Sequence, residues 1–520
     1  MRKKIALFSI VLCSALSLGE AIARTDGASQ VDYRRKTKML EIGMTAVPKT
    51  ADPRELWNFQ HFLVAQCMYQ TLVRVSESGR LVSDLAKRWE VDQAGMTYTF
   101  ELNEKAVFHD GSGVTASDVA FSLARHFWPG SPSVVQNHLK SVMSGTDNLK
   151  DGTLPSGIKV LNEHSLQLTL IHPYPPMLYV LAMPGFSVVS KKHATSPTKK
   201  WIGSGPMNGN FDSTKGTWSL HAFDRYAGSK PKTNGIHIRG ISGYPEIETL
   251  IKDKALDVII GAPVSEVMEA KQFPGYNVTR TNSLFYNHLF YNNRQPLFKN
   301  SEFRRDLGHL IQSIAKKPAS VTSFITYEPY YIPRGVMPGS YYQRTDIDIT
   351  PDEFGKKWAH LTKGKKLHVV VLKNAYSQRM LDDFEAAIKK TGLDLQFDRI
   401  AVGEYFDILK NDKYDIITGL YVGNFPDPDG FLDPLMETSK ARFGVIPSRD
   451  LFTAIEKVRY VTPAEKRLEE YSRILRSFED NWYLVPLYRI SVPIIHNAQL
   501  SIPDTSFRYE AELWNMFWSD

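Results

Sequence analysis

Cysteine is almost missing from this sequence. Its 520 residues include two, Cys13 and Cys67, which excludes a disulfide-stapled scaffold and any C-x-x-C metal or redox pair. Long apolar runs are also missing. The longest, Ile5 to Leu18, is shorter than the ~20 residues that span a bilayer. No H-E-x-x-H occurs and the 14 histidines are scattered, with His109-Asp110 in an expected turn. There is no G-x-S-x-G elbow. Gly203-Ser204-Gly205-Pro206 lacks the glycine spacing and the Lys-Ser/Thr of a phosphate loop, and reads as a structural turn. Internal repeats and low-complexity tracts are absent. Excess charge of one sign is small. The formal charge is +7, and residues 1–23, with three basic side chains against one acidic, account for two units of it. The basic residues are spread along the chain, which excludes the clustered face that nucleic-acid binding requires.

What is present is ordinary for a large globular protein: 42% hydrophobic and 23% charged residues. The length suggests about three domains. Arg2-Lys3-Lys4, the apolar stretch and Ala21-Ile22-Ala23 have the layout of a secretory signal peptide, so residues 1–23 are expected to be removed after Ala23. Leu12 stands where a lipobox before Cys13 needs a small residue, which points to a soluble exported protein rather than a lipid-anchored one. Cys67 then has no partner and is expected as a buried helix residue within Phe62 to Tyr69.

Residues 24–38 are polar and are expected to be flexible. Leu40 to Met44 reads as a strand, followed after a polar loop by a helix ending near Tyr69. Trp89 to Val91 and the alternating Met96 to Leu102 form a hairpin, with Met96, Tyr98, Phe100 and Leu102 on one face. Thr115 and Asp118 have capping-box spacing, and Asn162 to Leu170 alternates as a strand. Strand 367–372, helix 377–390, strand 393–400, a short helix at 403–410 and strand 414–420 give a βαβαβ rhythm, implying a parallel sheet. Thr462-Pro463-Ala464-Glu465 reads as a capping box with proline at the first helical position, opening a helix to about Asp480.

Residues 85–123, LAKRWEVDQAGMTYTFELNEKAVFHDGSGVTASDVAFSL, resemble without gaps the motif of the family 5 extracellular solute-binding proteins, the periplasmic oligopeptide-, dipeptide- and nickel-binding proteins of ABC importers. Gly203 to Pro206 resembles the family's GTGP turn, and Tyr291-Asn292-Asn293 to Leu307 its "FNt...pPF.d.rvRqAl" stretch. Tyr421 to Pro428 resembles its "WxADYpDP" segment, and Val485-Pro486-Leu487-Tyr488 its closing "iPLy". The resemblance implies an α/β fold, a two-lobed periplasmic binding protein (type II, cluster C-like) with an extra β-rich subdomain. Lobe I would comprise 24–60, 203–283 and 487–520, the β-rich subdomain 61–202, and lobe II 284–486. The lobes would close by a hinge over a ligand and deliver it to a permease in the inner membrane. The expected state is a periplasmic monomer that is not an enzyme and holds no cofactor or metal. Alternatives are a non-peptide solute such as a glycan or metal chelate, a sensor or chaperone without a permease, or an exported hydrolase.

The site follows from the same resemblance. In the family's peptide binders the aspartate of the "AD" pair holds the ligand's ammonium. Here that position is Asn424, preceded by Gly423. Asparagine accepts hydrogen bonds but carries no charge. Thr418 stands where the oligopeptide-binding member has an arginine meeting the ligand carboxylate. The missing charges favour a capped, modified or less charged ligand, unless Asp427 or Asp429 takes over the ammonium. Tyr421, Val422, Gly423 and Asp427 join Asn424 and Thr418 as ligand-facing candidates from this segment. Trp57, Asn58, Tyr286 and Asn287 are candidates from elsewhere, Tyr286 and Tyr421 for stacking. Flanked by Pro426 and Pro428, Asp427 and Asp429 suit turn and cap roles better than acid–base catalysis.

Overall fold

The computed structural model describes residues 27–519, apart from 57, 77–78, 134, 197, 199, 263–266, 268–272, 282–284, 317–324, 328–331, 333–346, 373–375, 377, 402–403, 405–406, 409–412, 424, 433–448 and 504–511. Among the described residues, three larger sheets carry the architecture. The first has seven strands, in the order Tyr276–Arg280, Pro493–Asn497, Val258–Ile260, Met39–Met44, Gly235–Gly240, Thr217–Ala222 and Met207–Asp212. Met39–Met44 lies parallel to both of its neighbours. Leu40, Ile42 and Met44 alternate into one core, which also takes Trp218 and the helix Phe59–Met68.

The second sheet has six strands, in the order Ile325–Tyr327, Leu484–Ile490, Phe285–Tyr291, Ile416–Val422, Lys365–Leu372 and Leu393–Ile400. Lys365–Leu372 is parallel to Leu393–Ile400 and to Ile416–Val422. The helix Gln378–Lys389 connects the first pair, as the apolar strand pattern requires of a covered parallel sheet. Phe285–Tyr291 is central and buried along nearly its whole length. The third sheet has four antiparallel strands, Ala86–Val91, Thr97–Leu102, Ser165–Thr169 and Ile158–Asn162, with Phe100, Leu102, Leu166 and Leu168 facing a separate core.

Cys67 is a free thiol buried in the helix Phe59–Met68. The capping box at Thr115 forms in full. Other local expectations are corrected. Residues 27–37 are helical rather than flexible: Arg34 reaches Asp257 through Nε at 2.7 Å and Nη2 at 2.9 Å, and this buried pair ties the helix to the sheet. The strand expected from Asn162 to Leu170 spans Ser165–Thr169: Asn162 ends the preceding strand Ile158–Asn162, and its Oδ1 accepts the His164 amide at 2.9 Å in the turn between them. The helix Ala464–Asn481 has Pro463 itself as its N-cap, and proline has no side-chain acceptor, so no capping box forms with Thr462. Most of 403–410, and all of 1–23, lie outside the described residues.

Candidate functional site

Beyond the strand Ile416–Val422 the chain passes Gly423 and enters a turn leading into the short helix Pro428–Leu432. A Cβ on Gly423 would stand 2.2 Å from the Phe431 ring, so the close approach of that ring needs glycine. Phe431 in turn meets Tyr286 edge-on, with centroids 5.7 Å apart. The Asp427 amide donates to Phe425 O at 2.8 Å, and the Gly430 amide donates to Asp427 O at 2.9 Å. The Asp429 amide donates to Asp427 Oδ1 at 3.0 Å.

Two buried acid–base pairs lock this turn. Arg467, from the helix Ala464–Asn481, donates Nη1 and Nη2 to the two carboxylate oxygens of Asp427 at 2.9 and 2.5 Å. Arg459 places Nε 2.7 Å from Asp429 Oδ1 and donates Nη2 to Oδ2 at 3.0 Å. The Tyr174 hydroxyl, from the chain segment after the four-stranded sheet, also donates to Asp429 Oδ2, at 2.5 Å. Burial disfavours the charged Arg467 guanidinium, but the bonds and charge of Asp427 outweigh it and hold its pKa above the ordinary value. Burial, then the Asp429 charge, pushes the Tyr174 hydroxyl well above the usual range. These two-point pairs satisfy both charges where either alone would be costly.

The residues singled out in the sequence fall into several settings. Trp57 and Asn424 lie outside the described residues. Tyr421 and Val422 stand on the strand Ile416–Val422, in register with Tyr286 and Phe285. Tyr286 is 2% exposed, a core ring rather than a stacking surface. Thr418 is buried as well, bordering an apolar void of about 40 Å³ beside Tyr376. Asn287 Oδ1 accepts the Tyr376 hydroxyl. Asn58 caps the helix Phe59–Met68, its Oδ1 accepting the His61 amide at 2.9 Å. The next residue, Phe59, meets Phe285 edge-on at 6.3 Å, which brings the N-terminus of that helix to the end of the six-stranded sheet. Gly423 and Asp427 position the turn through Phe431 and Arg467.

A cavity of about 360 Å³ borders this turn. Phe425 and Pro426, the two residues after position 424, form one wall. The rest comes from 62–75, 83–84 with Asn103, 179–187, 226–229 and 512–515. Among the described residues, none of the site candidates from the sequence lines it. Tyr69, Tyr179, Tyr226 and Trp514 contribute aromatic surface. Its charged groups are Arg74, Asp84 and Glu512. Arg74 Nη1 is 3.6 Å from Glu512 Oε1, and Asn515 Nδ2 donates to Glu512 Oε2 at 2.6 Å. Asp84 accepts Gln70 Nε2 at 2.6 Å and the Thr71 amide at 2.8 Å. Burial raises the Asp84 pKa above its ordinary value, and the Gln70 and Thr71 hydrogen bonds oppose that shift. No single sequence signal marks these residues, because seven separate stretches supply them. Of the stretches that resemble the family's motifs, 85–123 and 421–428 supply just Asn103, Phe425 and Pro426 of the lining, and the others supply none.

Residues 80–443 match the description of the bacterial extracellular solute-binding proteins, family 5. The chain belongs to this family. A curated relative, the probable D,D-dipeptide-binding periplasmic protein DdpA of Escherichia coli, is 25% identical over 490 residues, 89% of this chain and 90% of the relative. Among solved structures, the substrate-binding protein CtaP of Listeria monocytogenes superposes with a TM-score of 0.78 at 19% identity, covering 93% of this chain and 99% of that one. The periplasmic binding protein DppA of Helicobacter pylori, in complex with the peptide STSA, gives 0.75 at 18% identity, covering 93% and 98%. The fold of this solute-binding protein is thus the two-lobed α/β fold that the resemblance implied.

Proposed function

We propose that this chain is a periplasmic receptor that closes on a peptide or peptide-like solute and hands it to the permease of an ABC importer. The cavity that Phe425 and Pro426 line together with stretches of 62–229 and 512–515 carries this reading. Its volume falls in the range that encloses a small ligand, and its aromatic and polar lining suits a peptide backbone with variable side chains. In this reading the seven-stranded sheet belongs to one lobe, with the four-stranded sheet as its β-rich subdomain, and the six-stranded sheet to the other. Closure bends the chain where it leaves one large sheet for the other, after Arg280 and after Ile490. Export follows from a leader cleaved after Ala23, and the receptor acts as a monomer without catalysis.

The stretch from Asn424 to Asp429 offers no uncommitted carboxylate for an ammonium. Asn424 is uncharged, and Asp427 and Asp429 are already engaged by Arg467 and Arg459. The reading is tested by thermal unfolding of the exported protein with a pool of di- to tetrapeptides. A ligand at about 100 times its Kd adds about 2.7 kcal/mol of stability. A raised melting temperature that tracks peptide concentration supports the receptor. No shift with any peptide, and no small molecule released from the natively purified protein, would contradict it.

A further inference from the structure

This inference rests on the reading of the chain as a peptide receptor. We propose that the 360 Å³ cavity, through Asp84 and Glu512, holds the ammonium group of an unblocked peptide. The cavity's described charges are two carboxylates and one guanidinium. Arg74 stands 3.6 Å from Glu512 and its charge also favours ionised Asp84, so one guanidinium is shared between two carboxylates. The described charges of the wall therefore sum to one negative unit in a partly enclosed space, where a cation is attracted more strongly than in open water.

Asp84 differs from Asp427 in one respect that matters for binding. Asp427 gives both oxygens to Arg467. Asp84 accepts two short bonds, from Gln70 and the Thr71 amide, and a long one from the Thr71 hydroxyl at 3.4 Å, of the roughly four that a carboxylate can take. Gln70 adds an independent sign of a missing donor. It lines the cavity at 5% exposure, and its Oε1 has no hydrogen-bond partner. Its Nε2 is committed to Asp84, which fixes the amide with Oε1 as the acceptor. A buried carbonyl without a donor is costly. An ammonium has three donors and no acceptor, and so complements a site that has acceptors to spare.

The test is native mass spectrometry of the exported protein with a pool of unblocked tripeptides and with the same pool N-acetylated. Wild type, Asp84→Asn and Glu512→Gln are compared, with melting temperatures as a check on folding. The expected result is a loss of about tenfold or more in unblocked-peptide binding for Asp84→Asn, a smaller loss for Glu512→Gln, and equal binding of the acetylated pool by all three. If Asp84→Asn fails to fold, Glu512→Gln alone decides by the same contrast between pools. Unblocked peptides binding equally to wild type and the variants would overturn the ammonium site while leaving the receptor standing. No binding of either pool to wild type would overturn both.

Discussion

Arg467 is 4% exposed, and its two hydrogen bonds to Asp427 decide what that aspartate is for. Removing one member of such a pair leaves the other charge buried and unpaired, at a cost of about 3–5 kcal/mol. Asp427→Asn is therefore expected to lower unfolding stability by that amount in urea titrations, and a loss below about 1 kcal/mol would contradict the pairing. Asp427 was visible in the sequence as an acid between prolines. Its partner, 40 residues on in a different helix, was not. Position 423 reads as a departure from the family's alanine, and the reason for it appears only with Phe431 in place. A second residue-scale prediction concerns pH. The hydrogen bond to Glu41, at 2.8 Å, raises the His237 pKa above its ordinary value, against the opposing effect of burial. A raised histidine pKa contributes stability that is full below the unfolded value of about 6.5 and is lost as pH rises through the folded value. The melting-temperature gap between wild type and His237→Gln should thus shrink from about pH 5 to about pH 9. A gap that does not change with pH would show that the pair has no such linkage.

Elements were legible wherever their signals are local. The hairpin of Trp89 with Thr97–Leu102 and the capping box at Thr115 follow from alternation and spacing alone. The same kind of signal misled at Thr462. The sequence contains two T-P-x-E motifs, at Thr350 and Thr462. At Thr350 the full box forms: its Oγ1 accepts the Glu353 amide at 3.3 Å, and its own amide donates to Glu353 at 2.8 Å, with Pro351 opening the helix. At Thr462 the helix starts one residue later and the threonine caps nothing. Thr350→Ala is expected to cost about 1 kcal/mol and Thr462→Ala close to nothing, measured by chemical denaturation. Equal costs would mean that both boxes form in solution. The helix Gly27–Thr37 shows the opposite failure. It has little apolar patterning, which predicts a flexible segment, yet Val31 is buried and Arg34 anchors it to Asp257 across the sequence. A contact 223 residues away leaves no local mark.

At the scale of the whole molecule, the parallel strands of 365–422 could be read in advance, because their apolar runs alternate with a helix. The strand order could not. Pro493–Asn497 inserts between Tyr276–Arg280 and Val258–Ile260, and Leu484–Ile490 joins the other sheet, so the last part of the chain serves both. The cavity depends on this crossing, since Trp514 and Asn515 come to lie opposite Phe425 and Pro426. The central claim is that the solute occupies this space. Ser229 lines the cavity from an exposed bend, where a larger side chain can be accommodated without entering a core. Peptide binding to wild type and Ser229→Trp, measured by native mass spectrometry with the unblocked pool, tests the claim directly. The account predicts at least about a tenfold loss of binding, equivalent to about 1.4 kcal/mol, with an unchanged melting temperature for the unliganded protein. Equal peptide binding by a folded Ser229→Trp would contradict it.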